Sequence, residues 1–436
     1  MEPFVHYYRG IMLISFALSN HRSVKDEVVL NLDATNDEHL ASTRVVELSG
    51  ERLLRSALIY GPNGSGKSNL IKALGVMQSI VLSSSIRGDL TSPVNRRIPV
   101  EPYQLDTQSA RLPSSFHVRF LIDNMVYSYG FEITANEVKS EYLKRKGAGK
   151  EATLFDRTGG IIDIGGLFPE GKDRLNFLRP NGLFLSLCAE LNGSESLKVT
   201  QWFQRLTFFG RNANDQHLHE TYEMMRNAES AGVLSDLARQ ADFGIDQLQL
   251  RESNVPAIKF PEGFPQELKE RQARRFALIN TDISTFHKRY DQSGNPAGAA
   301  QLSMRHHASD GTVRFLTMVA PFIGSIKKNA ILLVDEIEAG LHPILMRTLF
   351  EWFHQQAIGS QAQLIACTHD VLLMDPGLIR RDQIWLVEKD DRGATGLTCL
   401  AEFDASDVRP TTKFGRQYLM GVFGAIPHPD FLKADH

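Results

Sequence analysis

The chain is 436 residues long, 42% hydrophobic and 23% charged, enough to bury a core for two domains or for one domain carrying an insertion. Lys plus Arg is 48 and Asp plus Glu is 51, a net charge of -3, which argues against a polyanion-binding surface over the whole molecule. The three cysteines, Cys188, Cys367 and Cys399, share no metal-ligand spacing and read as reduced core thiols, and the longest apolar stretch, 315–326, is well short of the ~18 residues of a membrane helix.

Residues 1–10 read as an extension ahead of the first strand. Arg9 and the apolar run 11–18 do not make a signal peptide, because no Ala-x-Ala site follows and Glu2 precedes them. Runs 11–18 and 28–32, separated by the polar stretch 20–27, predict paired strands. Residues 53–60 predict another strand, which ends in a glycine-rich turn, and 69–82 has helical spacing. Residues 83–100, rich in Ser, Arg and Pro, read as a loop. Runs 116–122 and 125–133 alternate about Asp123-Asn124, a hairpin signal, and 137–154 continues it through the basic turn 144–150, read as a solvated tip. From 173 to 241 the period is helical, with Trp202, Phe203, Leu206, Leu234 and Leu237 inward. Next come a strand at 244–250, an irregular Pro-rich stretch at 254–268 and a charged helix or loop at 266–276. Beyond Gly311 the order is helix 312–325, buried strand 330–334, helix 344–358, strand 363–367 and strand 383–388. The pattern predicts an α/β core in two parts, 1–172 and 301–436, split by a mainly helical insertion at 173–300.

The glycine-rich turn is Gly61-Pro62-Asn63-Gly64-Ser65-Gly66-Lys67-Ser68, which satisfies G-x-x-x-x-G-K-[ST]. Glycine lets the backbone wrap a phosphate, so that its N–H groups and the N-terminus of the next helix point at the anion. Lys67 would neutralise the β- and γ-phosphates of ATP, the Ser68 hydroxyl would ligate Mg²⁺, and Asn69 completes the nucleotide-binding set. Far downstream, Ile331-Leu332-Leu333-Val334-Asp335-Glu336 is four apolar residues ending in two carboxylates. A strand buried on both faces is apolar throughout, and its C-terminal end is where an α/β sheet presents chemistry. Asp335 suits a place at Mg²⁺ and Glu336 a general base for the attacking water. Such a strand is a weak signal alone and a strong one after a phosphate-binding loop.

Together these motifs resemble the ABC-type ATPases, in the branch that includes RecF, structural-maintenance-of-chromosomes and OLD-like proteins. Within that branch the chain is most similar to stand-alone bacterial ATPases grouped with abortive-infection proteins of the AbiLi and RloA type. Phe16-x-x-x-Asn20-His21-Arg22-Ser23 matches the opening strand and turn, whose Asn and Arg the resemblance puts near the nucleotide. Ser309-Asp310-Gly311-Thr312 matches the short signature, Glu338-Ala339-Gly340-Leu341-His342-Pro343 the D-loop region, and Thr368-His369 the switch histidine. Gln104, in Pro102-Tyr103-Gln104-Leu105, falls about where a Mg²⁺-contacting glutamine belongs. Tyr418-x-x-Gly421-x-Phe423-Gly424-Ala425-Ile426-Pro427 resembles the C-terminal motif of the AbiLi-like members.

The resemblance implies an ABC-ATPase head, a mixed β lobe plus a parallel-sheet core, that works as a head-to-head dimer. In that dimer Ser309, Gly311 and Thr312 hold the γ-phosphate of the partner's ATP, and His369 hydrogen-bonds the same phosphate. Residues 387–391 superficially resemble the start of the Toprim nuclease domain of OLD proteins, but no Asp-x-Asp pair follows, and no HNH-like cluster, nucleophile elbow or zinc spacing occurs. The expectation is therefore a cytoplasmic ATP hydrolase of a bacterial antiphage system, without its own nuclease, acting with a separately encoded effector. A RecF-like DNA-repair or recombination ATPase is the alternative, against which the acidic balance stands. A transporter subunit fits worst, since the LSGGQ form is absent and the middle region is too long; no membrane is expected.

Overall fold

A computed structural model of the chain describes residues 11–84, 97–210, 215–253, 260–261, 264–403 and 413–427. The predicted extension 1–10, the centre of the 83–100 loop and much of the Pro-rich 254–268 stretch lie outside the described residues. The chain forms two compact units, one of Met1–Phe208, Lys328–Ile337 and Phe350–His436, the other of Phe209–Lys327 and Glu338–Leu349.

The first unit carries an antiparallel sheet of seven strands. Across it the order is Ile161–Ile164, Ala152–Thr158, Val138–Lys146, Met125–Ile133, Ser114–Ile122, Met12–Ser19 and Val28–Asn31. The predicted hairpin turns at Asp123 and Asn124, both at positive φ (49° and 64°), the geometry that two-residue turns take and that Asp and Asn tolerate. On the buried face Phe120 stacks on Trp202 with ring centroids 4.2 Å apart, and Phe203 meets both rings edge-on. This packing draws the helices Phe184–Glu190 and Ser194–Phe203 into the first unit, although their period groups them with the insertion.

The second sheet has the order Leu206–Phe209, Ile331–Val334, Gln363–Cys367, Ser56–Tyr60, Ile384–Lys389 and Thr395–Cys399. From Ile331–Val334 to Ile384–Lys389 the neighbours run parallel. Ile331–Val334, Gln363–Cys367 and Ser56–Tyr60 are buried at every position, which explains their near-continuous apolar sequence. The strand expected at 53–60 is broken at Arg55. Glu51–Leu54 pairs with Val45–Leu48, and Ser56–Tyr60 enters the parallel sheet. Arg55 itself crosses over, its carbonyl accepting from Leu364 N–H (2.9 Å) and its guanidinium donating to the Ser360 carbonyl (2.7 Å). Edge strand Thr395–Cys399, short and half polar, gave no periodic signal.

The other unit holds helices Asp215–Arg226, Ala228–Gln240, Gln266–Asn280 and Asp310–Lys328. It also holds a three-stranded antiparallel sheet of Gln247–Glu252, Thr281–Tyr290 and Pro296–Ser303. Only the first of these strands was expected; Pro296–Ser303 is largely exposed and built of small and polar residues, so no hydrophobic alternation marks it. Among the described residues no helix is long and apolar enough to cross a membrane. The three cysteines are free and buried, and burial pushes the thiols of Cys188 and Cys399 up to about 12.

Candidate active site

Three parallel strands deliver the site. Cys367 is level with Ile59 and Val334 with Ala366, so Ser56–Tyr60, Ile331–Val334 and Gln363–Cys367 end side by side. Their next residues are Gly61, Asp335-Glu336 and Thr368-His369, and two backbone bonds keep the exits in register. Thr368 N–H donates to the Ile59 carbonyl (3.0 Å) and Ile337 N–H to the Cys367 carbonyl (3.1 Å). This is the C-terminal edge at which such sheets place ligands.

The loop after Ser56–Tyr60 needs its glycines. Gly61, Gly64 and Gly66 all have positive φ, and a methyl on Gly61 would collide with the Val387 carbonyl, one on Gly66 with Thr395 Oγ1. Helix Lys67–Ser83 starts directly behind the loop. The Lys67 ammonium donates to the carbonyls of Gly61 (2.7 Å) and Pro62 (2.9 Å), and the Ser68 hydroxyl donates to Asp335 Oδ1 (2.7 Å). Lys72 approaches the other Asp335 oxygen at 4.0 Å. A cavity of about 180 Å³ opens here, lined on the loop side by Asn63, Gly64, Gly66, Lys67, Ser68 and Asn69 and on the far side by Glu336 and His369.

Glu336 has φ +53°, a left-handed backbone that costs a glutamate about 1–3 kcal/mol and that clusters at functional positions. Fully buried Val334 and Ile337 on either side hold it there. The strand thus ends in a sharp turn whose side chain lines the cavity.

The first unit also buttresses the loop with residues whose role the sequence did not reveal. Asn69 donates to Ser23 Oγ (2.7 Å), Thr395 N–H donates to the Ser23 carbonyl (2.8 Å), and Thr395 Oγ1 lies 2.8 Å from both Ser23 Oγ and the Ser65 carbonyl. Thr395 belongs to an edge strand distant in sequence, so nothing local could have marked it.

Arg22 and Gln104, both expected at the site, have their bonds elsewhere. Arg22 pairs with Glu101 at 2.9 Å and holds that carboxyl below its usual range, while Gln104 is exposed and donates to the Pro102 carbonyl (2.9 Å). Asn20, placed near the nucleotide by resemblance, is buried and clamps the backbone. Its amide donates to the carbonyls of Ser109, Leu112 and Pro113 and its oxygen accepts from Tyr103 N–H. Burial, then neighbouring Arg22, pushes the His21 imidazole down to about 4, so it is neutral at neutral pH.

Ser309, Gly311 and Thr312 lie in the other unit. Ser309 Oγ accepts from Thr312 N–H (3.2 Å) and contacts Thr312 Oγ1 (2.9 Å), capping helix Asp310–Lys328. A methyl on Gly311 would come within 2.8 Å of the Gly340 carbonyl, so only glycine lets the signature turn and the Gly340 turn approach this closely. Arg314, one helical turn on, donates to the Gly210 carbonyl (2.7 Å) and covers the Phe209 ring at 4.3 Å.

The family described as "AAA domain, putative AbiEii toxin, Type IV TA system" matches residues 56–375, a span holding the glycine-rich loop, Asp335-Glu336, Ser309–Thr312 and His369. The chain belongs to this family. It is an ATPase of the AAA/ABC type. No curated protein matches the chain. Among solved structures it is similar to an SMC head bound to the C-winged-helix domain of ScpA, at 15% identity and TM-score 0.43, over 89% of this chain and 97% of that one. It is also similar to the SMC head domain from Thermotoga maritima, at 12% identity and TM-score 0.39, over 89% and 98% of the two chains. A third is an SMC head with an extended coiled coil bound to the C-terminal domain of ScpA derived from Pyrococcus furiosus, at 13% identity and TM-score 0.40, over 89% and 96%.

The residues of this AAA-family site fit a nucleotide phosphate and a divalent cation. The loop offers a cationic side chain and glycine-permitted N–H geometry, and the buried Ser65 Oγ has no hydrogen-bond partner. Among the described residues no group of three or more His, Cys, Asp or Glu could hold a metal by itself. A cation at Ser68 and Asp335 would draw its remaining ligands from phosphate and water, as Mg²⁺ does.

Proposed function

We propose that the chain binds MgATP at Gly61–Ser68 and hydrolyses it with Glu336, at sites that a second copy of the chain completes. The observation carrying this reading is the 2.7 Å bond from Ser68 to Asp335, with Glu336 and His369 lining the same cavity. Lys67 and the loop N–H groups hold the phosphates, and Asn69 keeps the loop in shape through Ser23. Ser68 and Asp335 would hold Mg²⁺, which would supply neutralising charge to the phosphates. Glu336 takes the proton of the attacking water on its carboxylate, and His369 donates to the γ-phosphate. Ser309, Gly311 and Thr312, at the N-terminal end of a 19-residue helix, offer a hydroxyl and N–H groups to the partner's nucleotide. Arg22 at the phosphates and Gln104 at the metal join this set on the family resemblance alone.

In the cell this ATPase serves as the cytoplasmic sensor or regulator of an antiphage system and acts on a separate effector. The toxin and Type IV toxin–antitoxin wording of its family supports that reading. Glu336→Gln tests the chemistry, since it keeps size and hydrogen bonding and removes basicity. Phosphate release should fall ~10²–10⁴-fold. MgATP affinity should survive, and light scattering should report an ATP-dependent dimer that accumulates. Wild-type turnover would move the base to another residue. Lost turnover without ATP-dependent association would leave Glu336 catalytic and remove the shared site.

A further inference from the structure

The C-terminal motif has no place in that chemistry, yet within the first unit it packs against residues next in line to the site, Tyr60 before Gly61 and Val371 after His369-Asp370. Helix Phe414–Leu419 lies on the 3₁₀ turn Val371–Leu373, which directly follows Thr368-His369-Asp370. The approach is close enough that a methyl on Gly415 would fall 2.6 Å from the Val371 carbonyl oxygen. One turn along, the Tyr418 ring meets the Tyr60 ring edge-on at 6.0 Å. The Tyr60 hydroxyl donates to the Asp370 carbonyl (3.2 Å), so the residue before Gly61 and the residue after His369 are tied under the Tyr418 ring.

The motif is itself folded back and locked. Tyr418 donates to the Ala425 carbonyl (2.8 Å), while Gly421, Gly424 and Ala425 all take positive φ to make the turn. Ala425 N–H then donates to Glu388 (3.2 Å), and a methyl on Gly424 would come 3.0 Å from that same carboxylate oxygen. Glu388 follows Val387, whose carbonyl is the group that excludes any side chain at Gly61. Phe414, Tyr418, Phe423 and Ala425 are buried beneath this lock, while Glu388 stands exposed at its edge.

We infer that residues 414–427 form a clamp that positions His369, with Gly415 and Tyr418 as positioning residues for ATP hydrolysis. The inference rests on the role proposed for His369 and deepens it. A side chain on a loop between two strands swings freely unless something fixes the loop on its outer side. Here a segment late in the chain adds to the bond from Tyr60 of the sheet and covers the loop on its outer side. Displacement of a reacting group by about 1 Å can cost up to 10²-fold in rate without touching binding.

The test uses the full-length protein with MgATP. Gly415→Ala drives a methyl into the Val371 carbonyl and must shift the 368–373 turn, and Tyr418→Phe keeps the ring on Tyr60 but frees the turn at Ala425. In Gly415→Ala, kcat should fall about 10–100-fold with KM held within about threefold, because the phosphate contacts of 61–68 are intact. Tyr418→Phe should move kcat in the same direction by less. In a His369→Ala background, adding either change should cost no more than about twofold, since both act through one group. A merely structural role would lower turnover by the same factor in both backgrounds, and that result overturns the clamp. Wild-type kcat in folded Gly415→Ala overturns it too. Where Gly415→Ala does not fold, Tyr418→Phe carries the same comparison. Full turnover in His369→Ala alone would instead remove the role of His369, and the clamp with it.

Discussion

Lys67 is almost fully buried, and its ammonium donates to the carbonyls of Gly61 and Pro62. A cation held over two carbonyls at the mouth of a glycine turn is placed to exchange them for phosphate oxygens. Lys67→Ala removes that charge without disturbing the apolar core. The variant should unfold at the wild-type temperature and show no measurable MgATP binding by calorimetric titration. Unchanged affinity in a folded variant would contradict the assignment. At this scale the sequence was most informative where chemistry is local. Gly61–Ser68 could be read directly because each residue type serves the same short loop. Ser23 and Thr395 could not, since their hydroxyls act through a meeting of segments that no spacing encodes. The bonds of Asn20 were equally illegible: its side chain joins four backbone groups, of Tyr103, Ser109, Leu112 and Pro113, far along the chain.

The parallel strands were legible because burial on both faces forces uninterrupted apolar runs, and 363–367 was found with its observed limits. Thr281–Tyr290 and Pro296–Ser303 were missed because a half-exposed hairpin of polar and small residues has no such run. The core that holds the phosphate strand also sets a pH dependence. His354, fully buried on helix Pro343–Gln356, has Nδ1 2.7 Å from the Phe350 carbonyl and Nε2 2.9 Å from Ser56 Oγ. Ser56 in turn accepts from Gln383 (2.6 Å), so its proton points to His354 and the imidazole is neutral. Burial first, then Arg44 and Arg55, hold its pKa well below the ordinary 6.5. The unfolded chain then binds the proton more readily than the folded one, so stability is fully present above pH 6.5 and is lost as pH falls below it. Urea unfolding between pH 5 and 8 should show this slope, and His354→Gln should reduce it. Some slope remains, because His21, pushed down to about 4, contributes in the same sense. Equal slopes in both proteins would contradict the buried neutral state of His354.

At the scale of the molecule, the α/β class could be read from the shift between strand and helix periods. Where 173–208 belongs could not, because it turns on Trp202 and Phe203 stacking against Phe120, a contact between segments of one core. We propose that ATP is hydrolysed at sites built from two copies, the loop at Lys67 from one and the helix N-terminus at Ser309 from the other. Mixing Lys67→Ala subunits with Ser309→Arg subunits tests it most directly. Each variant alone is defective at both sites of its own dimer. In a mixed dimer one site carries both defects and the other carries neither. Equal mixing should therefore restore phosphate release to about a quarter of wild type when the two sites act independently. No recovery, with mixed dimers shown to form, would contradict the shared site.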